Sequence, residues 1–167
     1  MSQLQSVKGT LLHLLNNQMK VVDKLLNKIS EDAVNFKPCG DESSLSLGEL
    51  VAHMYEMVFA YSKAVRKGKL ENEDFAEIPT PKTGATLDQI KDYIKKIKTY
   101  FHETLESLTE DKLQQEITFH CWHGFKLAGI QALMTIQEEV VHHRGQLTLY
   151  IRLLGIKLPV GFIYDYS

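Results

Sequence analysis

Four long stretches of this chain carry apolar residues at alternating three- and four-residue steps. That period leaves a packed bundle of amphipathic helices as the simplest solution. In the first, from about residue 2 to residue 29, Leu4, Val7, Leu11, Leu15, Val22, Leu25 and Ile29 share one face. The second opens on Ser46 and Glu49, spaced as a capping box in which each side chain satisfies an orphan backbone N–H. Its stripe is Leu47, Leu50, Val51, Met54, Val58, Tyr61 and Val65, and Gly68 is placed to stop it. The third begins at Thr86 and Gln89, again in capping-box spacing, and continues through Leu87, Ile90, Ile94, Ile97, Phe101, Leu105 and Leu108. The fourth covers about residues 127 to 154, with Gly155 and then Pro159 beyond it.

What lies between the helices sets the topology. Residues 69 to 85 form one long irregular stretch containing Pro79, Pro81 and Gly84. A connection of that length in a bundle predicts a crossover along its side rather than a tight hairpin. Residues 109 to 115 predict a short helical turn. Residues 116 to 125, rich in β-branched and aromatic types around Gly124, predict an extended segment or small hairpin. The expected fold is all-α, a four-helix bundle with one long crossover, forming a single domain over residues 1–167.

Several function classes are disfavoured at once. A formal net charge of −2 gives no general reason to expect nucleic acid, which calls for a concentrated basic surface. Lys91, Lys95, Lys96 and Lys98 do gather on the third helix, but Asp88, Asp92 and Glu103 dilute them, and the cluster reads as a solvated helix face. The two cysteines, Cys39 and Cys121, are far apart and outside any CxxC, so reduced thiols fit better than a disulfide framework. The N-terminal residues lack the apolar run of a signal peptide. No segment approaches the roughly 20 apolar residues that span a bilayer. The expectation is a cytoplasmic protein without nucleic-acid or membrane partners.

One constellation points beyond a helical domain. Glu139-Val-Val-His142-His143-Arg144-Gly-Gln146 sets Glu139 and His143 four residues apart on the fourth helix. Residues at that spacing are neighbours on one surface, so both can reach one metal ion if a further ligand arrives from another helix. His53, in Ser46-Leu-Gly-Glu-Leu-Val-Ala-His53, is the candidate for that ligand. On the helical wheel His143 and His53 each fall at a stripe margin, so the two margins can meet across a groove. His142 projects to nearly the opposite side and is the second choice. The plain readings stay open beside this one: a hydrogen-bonded histidine at 53, and an ordinary surface pair at 139 and 143. A second run, His120-Cys121-Trp122-His123, contains competent zinc ligands. They are adjacent and lack a spaced partner, which favours a local aromatic-polar turn.

The stretch His143-Arg144-Gly145-Gln146-Leu-Thr-Leu-Tyr-Ile-Arg-Leu-Leu-Gly resembles the final helix of the DinB-like (DinB/YfiT-like) family, and the stretch from Ser46 to His53 resembles that family's second helix. The order and length of the helices agree over essentially the whole chain. The resemblance implies a four-helix bundle with a long crossover, often dimeric, holding a divalent metal with three histidines. One of these comes from the second helix and two stand at i,i+4 on the last. Carried over by position, the ligands are His53, Glu139 and His143, with a carboxylate at 139 where the family pattern has histidine. Two histidines and one carboxylate remain a competent set for zinc, and they also suit iron and related metals. Zinc, nickel, iron and manganese are not distinguished.

Family members with understood activities resemble transferases that use a low-molecular-weight thiol, and metal-dependent isomerases or hydrolases. The resemblance therefore implies a metal-dependent enzyme that activates a small thiol for transfer to a small electrophile. The alternative is a non-catalytic, stress-associated module that binds a metal or small ligand. A homodimer is also expected, from the resemblance and from a second set of apolar residues off the main stripes: Phe59, Tyr100, Leu149 and Leu153. Against the dimer stands a C-terminal segment, residues 158 to 166, that can fold back over them. Arg144 is expected to have a structural role, paired with a carboxylate of the first helix or the crossover.

Overall fold

The computed structural model describes residues 3–38, 44–159 and 161–164. The cysteine at position 39 and the glycine at position 40 lie outside them.

Each long stripe becomes a helix: α1 (Gln3–Leu26), α2 (Leu47–Lys67), α3 (Leu87–Glu106) and, after a short α4 (Glu110–Gln114), the long α5 (Gly129–Leu153). Both capping boxes form. Ser46 Oγ accepts from Glu49 N at 3.2 Å while Ser46 N donates to Glu49 Oε2 at 2.8 Å; Thr86 and Gln89 repeat the exchange at 3.2 and 2.9 Å. At the other end of α2 the chain turns through Gly68 at φ 82°, a left-handed conformation that glycine adopts without steric cost.

The fold is mostly helical but not all-α. Among the described residues a three-stranded sheet runs in the order β1 (Lys69–Leu70), β2 (Glu116–Phe119), β3 (Phe125–Ala128). The expected hairpin is β2–β3, antiparallel, pairing Glu116 with Ala128 and Phe119 with Phe125. The unexpected strand is β1, which pairs in parallel with β2. Gly68 aims the chain straight off α2 into this pairing, and Leu70 and Phe119 are fully buried there. The sheet closes the end of the bundle where α2 finishes.

The long connection does cross over. Its polar side chains meet α2 in descending order: Asp74 with Lys67, Glu77 with Lys63, Thr80 with Glu56, Thr83 with Glu49. The chain thus returns along the length of α2, and α3 then runs parallel to it, with Phe59 against Tyr100 and Arg66 near Glu103. Glu31 Oε1 accepts from Leu87 N at 3.0 Å and fixes where α3 starts. Helix α2 packs most heavily on α5 and α3, and α1 packs on α5.

This packing corrects two expectations. Phe59 is 1% exposed and Tyr100 is half-buried against it, with ring centroids 5.0 Å apart. They belong to the α2–α3 interface, not to an outer surface. Leu149 and Leu153 do stay outside, each more than half exposed. The described part of the C-terminal segment turns instead toward α1, where Lys28 Nζ lies 5.8 Å from the centre of the Phe162 ring.

Candidate functional site

Helices α2 and α5 bring His53, Glu139 and His143 together. The rings of His53 and His143 meet edge to face with centroids 5.0 Å apart. His143 Nε2 lies 3.3 Å from Glu139 Oε2, one turn back on α5. His143 is buried, Glu139 is half-buried and His53 faces the groove's open side. His142 is exposed, as its place on the wheel predicts.

Two residues whose part in the site the sequence reading left out shape the chemistry. Gln146 Oε1 sits 2.8 Å from His143 Nδ1. A carbonyl oxygen can only accept, so Nδ1 carries the proton and Nε2 keeps its lone pair. Glu56 Oε2 sits 3.5 Å from His53 Nδ1 and plays the same part there. In both cases an oxygen three residues further along the helix holds Nδ1. Metal-binding histidines characteristically have this outer partner, which fixes the tautomer and turns Nε2 toward the ion. The i,i+3 spacing of His53 with Glu56 and of His143 with Gln146 was the available signal.

The electrostatics separate the two imidazoles. The Glu56 carboxylate beside it raises the pKa of His53 above its ordinary value near 6.5, against the opposing effect of burial. Burial lowers that of His143, outweighing the Gln146 contact. A neutral His143 with its proton on Nδ1 points a lone pair at the Glu139 carboxylate. Two acceptors 3.3 Å apart in a half-buried groove repel unless a proton or a cation lies between them. The donor set therefore fits a small cation. Even so, among the described residues no three His, Cys, Asp or Glu side chains stand arranged to hold a metal ion.

Beside His53 opens a hollow of about 640 Å³, walled by Leu45, Glu49, Glu56 and the crossover residues Thr80, Lys82 and Thr83. Burial, reinforced by the Glu139 and Glu138 carboxylates, pushes the Tyr61 phenol up to about 12, so it stays a protonated donor. Over Tyr61 lies the β2–β3 turn. His120–Trp122 form one 3-10 turn there, and Trp122 stacks on Phe119 at 5.3 Å and tilts onto Tyr61 at 5.4 Å. That run is the aromatic-polar turn expected of it. Arg144, on the far side of α5, is buried and donates to Gln18 of α1, a structural placement.

The chain matches the model of the DinB family over residues 1–164. The Bacillus subtilis protein YjoA, itself uncharacterised, is 31% identical over 146 residues, spanning 86% of this chain and 87% of that one. The crystal structure of that DinB-like protein superposes with a TM-score of 0.68 at 29% identity, over 89% of this chain and 94% of the other. A DinB-like protein from Bacillus cereus ATCC 10987 superposes with a TM-score of 0.67 at 24% identity, over 89% and 93%.

Proposed function

The chain belongs to the DinB family, and we propose that it is a divalent-metal-dependent enzyme whose ion is held by His53, Glu139 and His143. One observation carries the reading: both imidazoles have Nδ1 beside an oxygen three residues on, which leaves each Nε2 free to ligate, and His143 Nε2 already faces Glu139. When bound, a divalent ion supplies Lewis acidity, lowering the pKa of a water or thiol so that a nucleophile exists at neutral pH. The protein's own groups do the rest. Gln146 and Glu56 hold the imidazoles in orientation, Tyr61 offers a proton donor, and the hollow beside His53 admits a small molecule. The substrate pair we favour is a low-molecular-weight thiol and a small electrophile, in keeping with the family resemblance. The open hollow favours turnover over a closed binding module, which is the second reading.

The test begins with elemental analysis of protein purified without a histidine tag, where about one divalent ion per chain is expected. Glu139→His is expected to keep that content, and Glu139→Ala to lower it. Equal content in wild type and Glu139→Ala makes the carboxylate a bystander and transfers its place to His142 or water. Metal-dependent consumption of glutathione, cysteine or coenzyme A in the presence of an alkyl halide separates enzyme from binding module.

We further propose a homodimer built on the outer face of α5. Met134, Val141 and Leu149 are 49, 38 and 55% exposed and flank Gly145 on that face. A Cβ added at Gly145 meets nothing within 4 Å, so a second helix can approach closely. Clustered exposed apolar groups mark association surfaces, and a two-fold pair is the commonest closed arrangement. Light scattering is expected to give twice the 19.1 kDa chain mass; the single-chain mass at micromolar concentration refutes the dimer.

A further inference from the structure

The α3 lysines are not simply a solvated face. Lys91, Lys95, Lys98 and His102 recur at four-, three- and four-residue steps, so they form one stripe, and that stripe faces α1. Between the two helices lies a hollow of about 490 Å³, within the range of small-molecule sites. Leu26 of α1 and Ile94 of α3 form its floor, and both are almost fully buried. One end is tied shut. Lys98 Nζ donates to both Asp23 oxygens at 2.8 and 2.7 Å, and His102 Nε2 lies 3.2 Å from Asn16 Oδ1.

The other end is where charge is left over. Lys91 and Lys95 are exposed, one turn apart at the mouth, beside Asn27. Among the described residues neither has a carboxylate partner. Of the acids that dilute the cluster in the sequence, Glu103 pairs with Arg66 and Asp92 lines a different hollow against the crossover, while Asp88 stands one turn before Lys91 and does not line the cleft. Among the described residues Asp23 is the one acid that lines the cleft, and Lys98 already engages it.

We infer that the cleft between α1 and α3 binds a small organic anion with an apolar body. Lys91 and Lys95 receive its carboxylate, phosphate or sulfonate head, and Leu26 and Ile94 receive its hydrocarbon or aromatic part. Neither half suffices alone. Two exposed ammonium groups hold a free anion weakly in salt, and a floor of two side chains, 3% and 4% exposed, offers too little apolar surface to hold a neutral hydrocarbon firmly. The site lies on the face of α3 that looks to α1, so it is separate from the groove between α2 and α5 and does not depend on any metal.

The experiment is a two-dimensional amide NMR titration of the full chain with naphthyl phosphate, inorganic phosphate and naphthol in parallel. Naphthyl phosphate is expected to shift resonances of Leu26, Asn27, Ile94 and Lys95 in saturable fashion, and the other two probes to shift them far less. Lys95→Glu is expected to weaken naphthyl phosphate by about tenfold or more. Lys96→Glu, the same charge change one residue outside the cleft, is expected to leave it within about twofold. Equal losses in the two variants, equal shifts with inorganic phosphate or naphthol, or no saturable shift at these residues each overturn the proposal. Both positions are exposed on α3, so the folded state of each variant is readable in the same spectra.

Discussion

Replacing His143 by alanine is expected to remove metal binding almost completely while leaving the helices intact. Loss of an outer partner to a ligating histidine costs about 10–100-fold in affinity, so loss of the ligand itself should exceed about 100-fold. Gln146→Ala is then expected in the lower range, since it frees the His143 ring without deleting it. His53→Ala is expected to match His143→Ala, and it is the cleaner test because His53 is on the groove's open side and its loss leaves little cavity. Equilibrium dialysis with zinc or nickel, alongside circular dichroism for helix content, reads both. Metal uptake unchanged in both histidine variants would sink the assignment. The pH dependence has a definite sign. A ligating imidazole must be neutral. Burial keeps the base strength of His143 depressed, while Glu56 raises that of His53 above 6.5. His53 is therefore the first to protonate as pH falls, and affinity should begin to drop above pH 6.5. Glu56→Gln removes that carboxylate and is expected to move the acid limb to lower pH, even as it loosens the ring.

Local signals in the sequence carried the helices and the histidine–carboxylate pair, because both depend on spacings within one helix. The capping boxes at Ser46 and Thr86 are of the same kind, and they form as spaced. What depends on a distant partner was not legible. Strand β1 has two residues and pairs with a segment almost fifty positions away, so neither length nor alternation marks it. Phe59 was misplaced because a wheel assumes one buried face. Helix α2 is buried nearly all round, with Ala52, Tyr55, Phe59, Ala60 and Ala64 as deeply covered as its main stripe. A helix apolar on all sides is a central one, and the run of alanines between its large residues was the sign of that. The α3 lysines show the same limit. Their spacing was visible, but the α1 wall opposite them was not.

Gly129→Ala is expected to be among the most destabilising single substitutions outside the core. The short helix α4 lies on the first turn of α5, and Gly129 N donates to Gln115 O at 2.9 Å there. A Cβ at this position would run into the carbonyl oxygen of Lys112, far inside the 3.0 Å below which something must move, and would stand 3.0 Å from that carbonyl carbon. The obstacle is backbone, so no side-chain rotation relieves it. Either α4 lifts off α5, exposing Leu113, or α5 shifts and takes Ile130 and Leu133 with it. Overpacking of this sort costs about 1–3 kcal/mol and sometimes more, which for a chain of this size lowers the melting temperature by about 2–12 °C. Gly145→Ala is the matched control, since the space around it is empty. Within a helix that change gains about 0.5–1 kcal/mol in the single chain. Thermal melts at low protein concentration should therefore move in opposite directions for the two glycines. A Gly129→Ala melt equal to wild type would mean that α4 is not seated on α5. A Gly145→Ala protein that melts higher yet sediments as a single chain would show that the glycine serves the close approach of a second copy, rather than the fold of one.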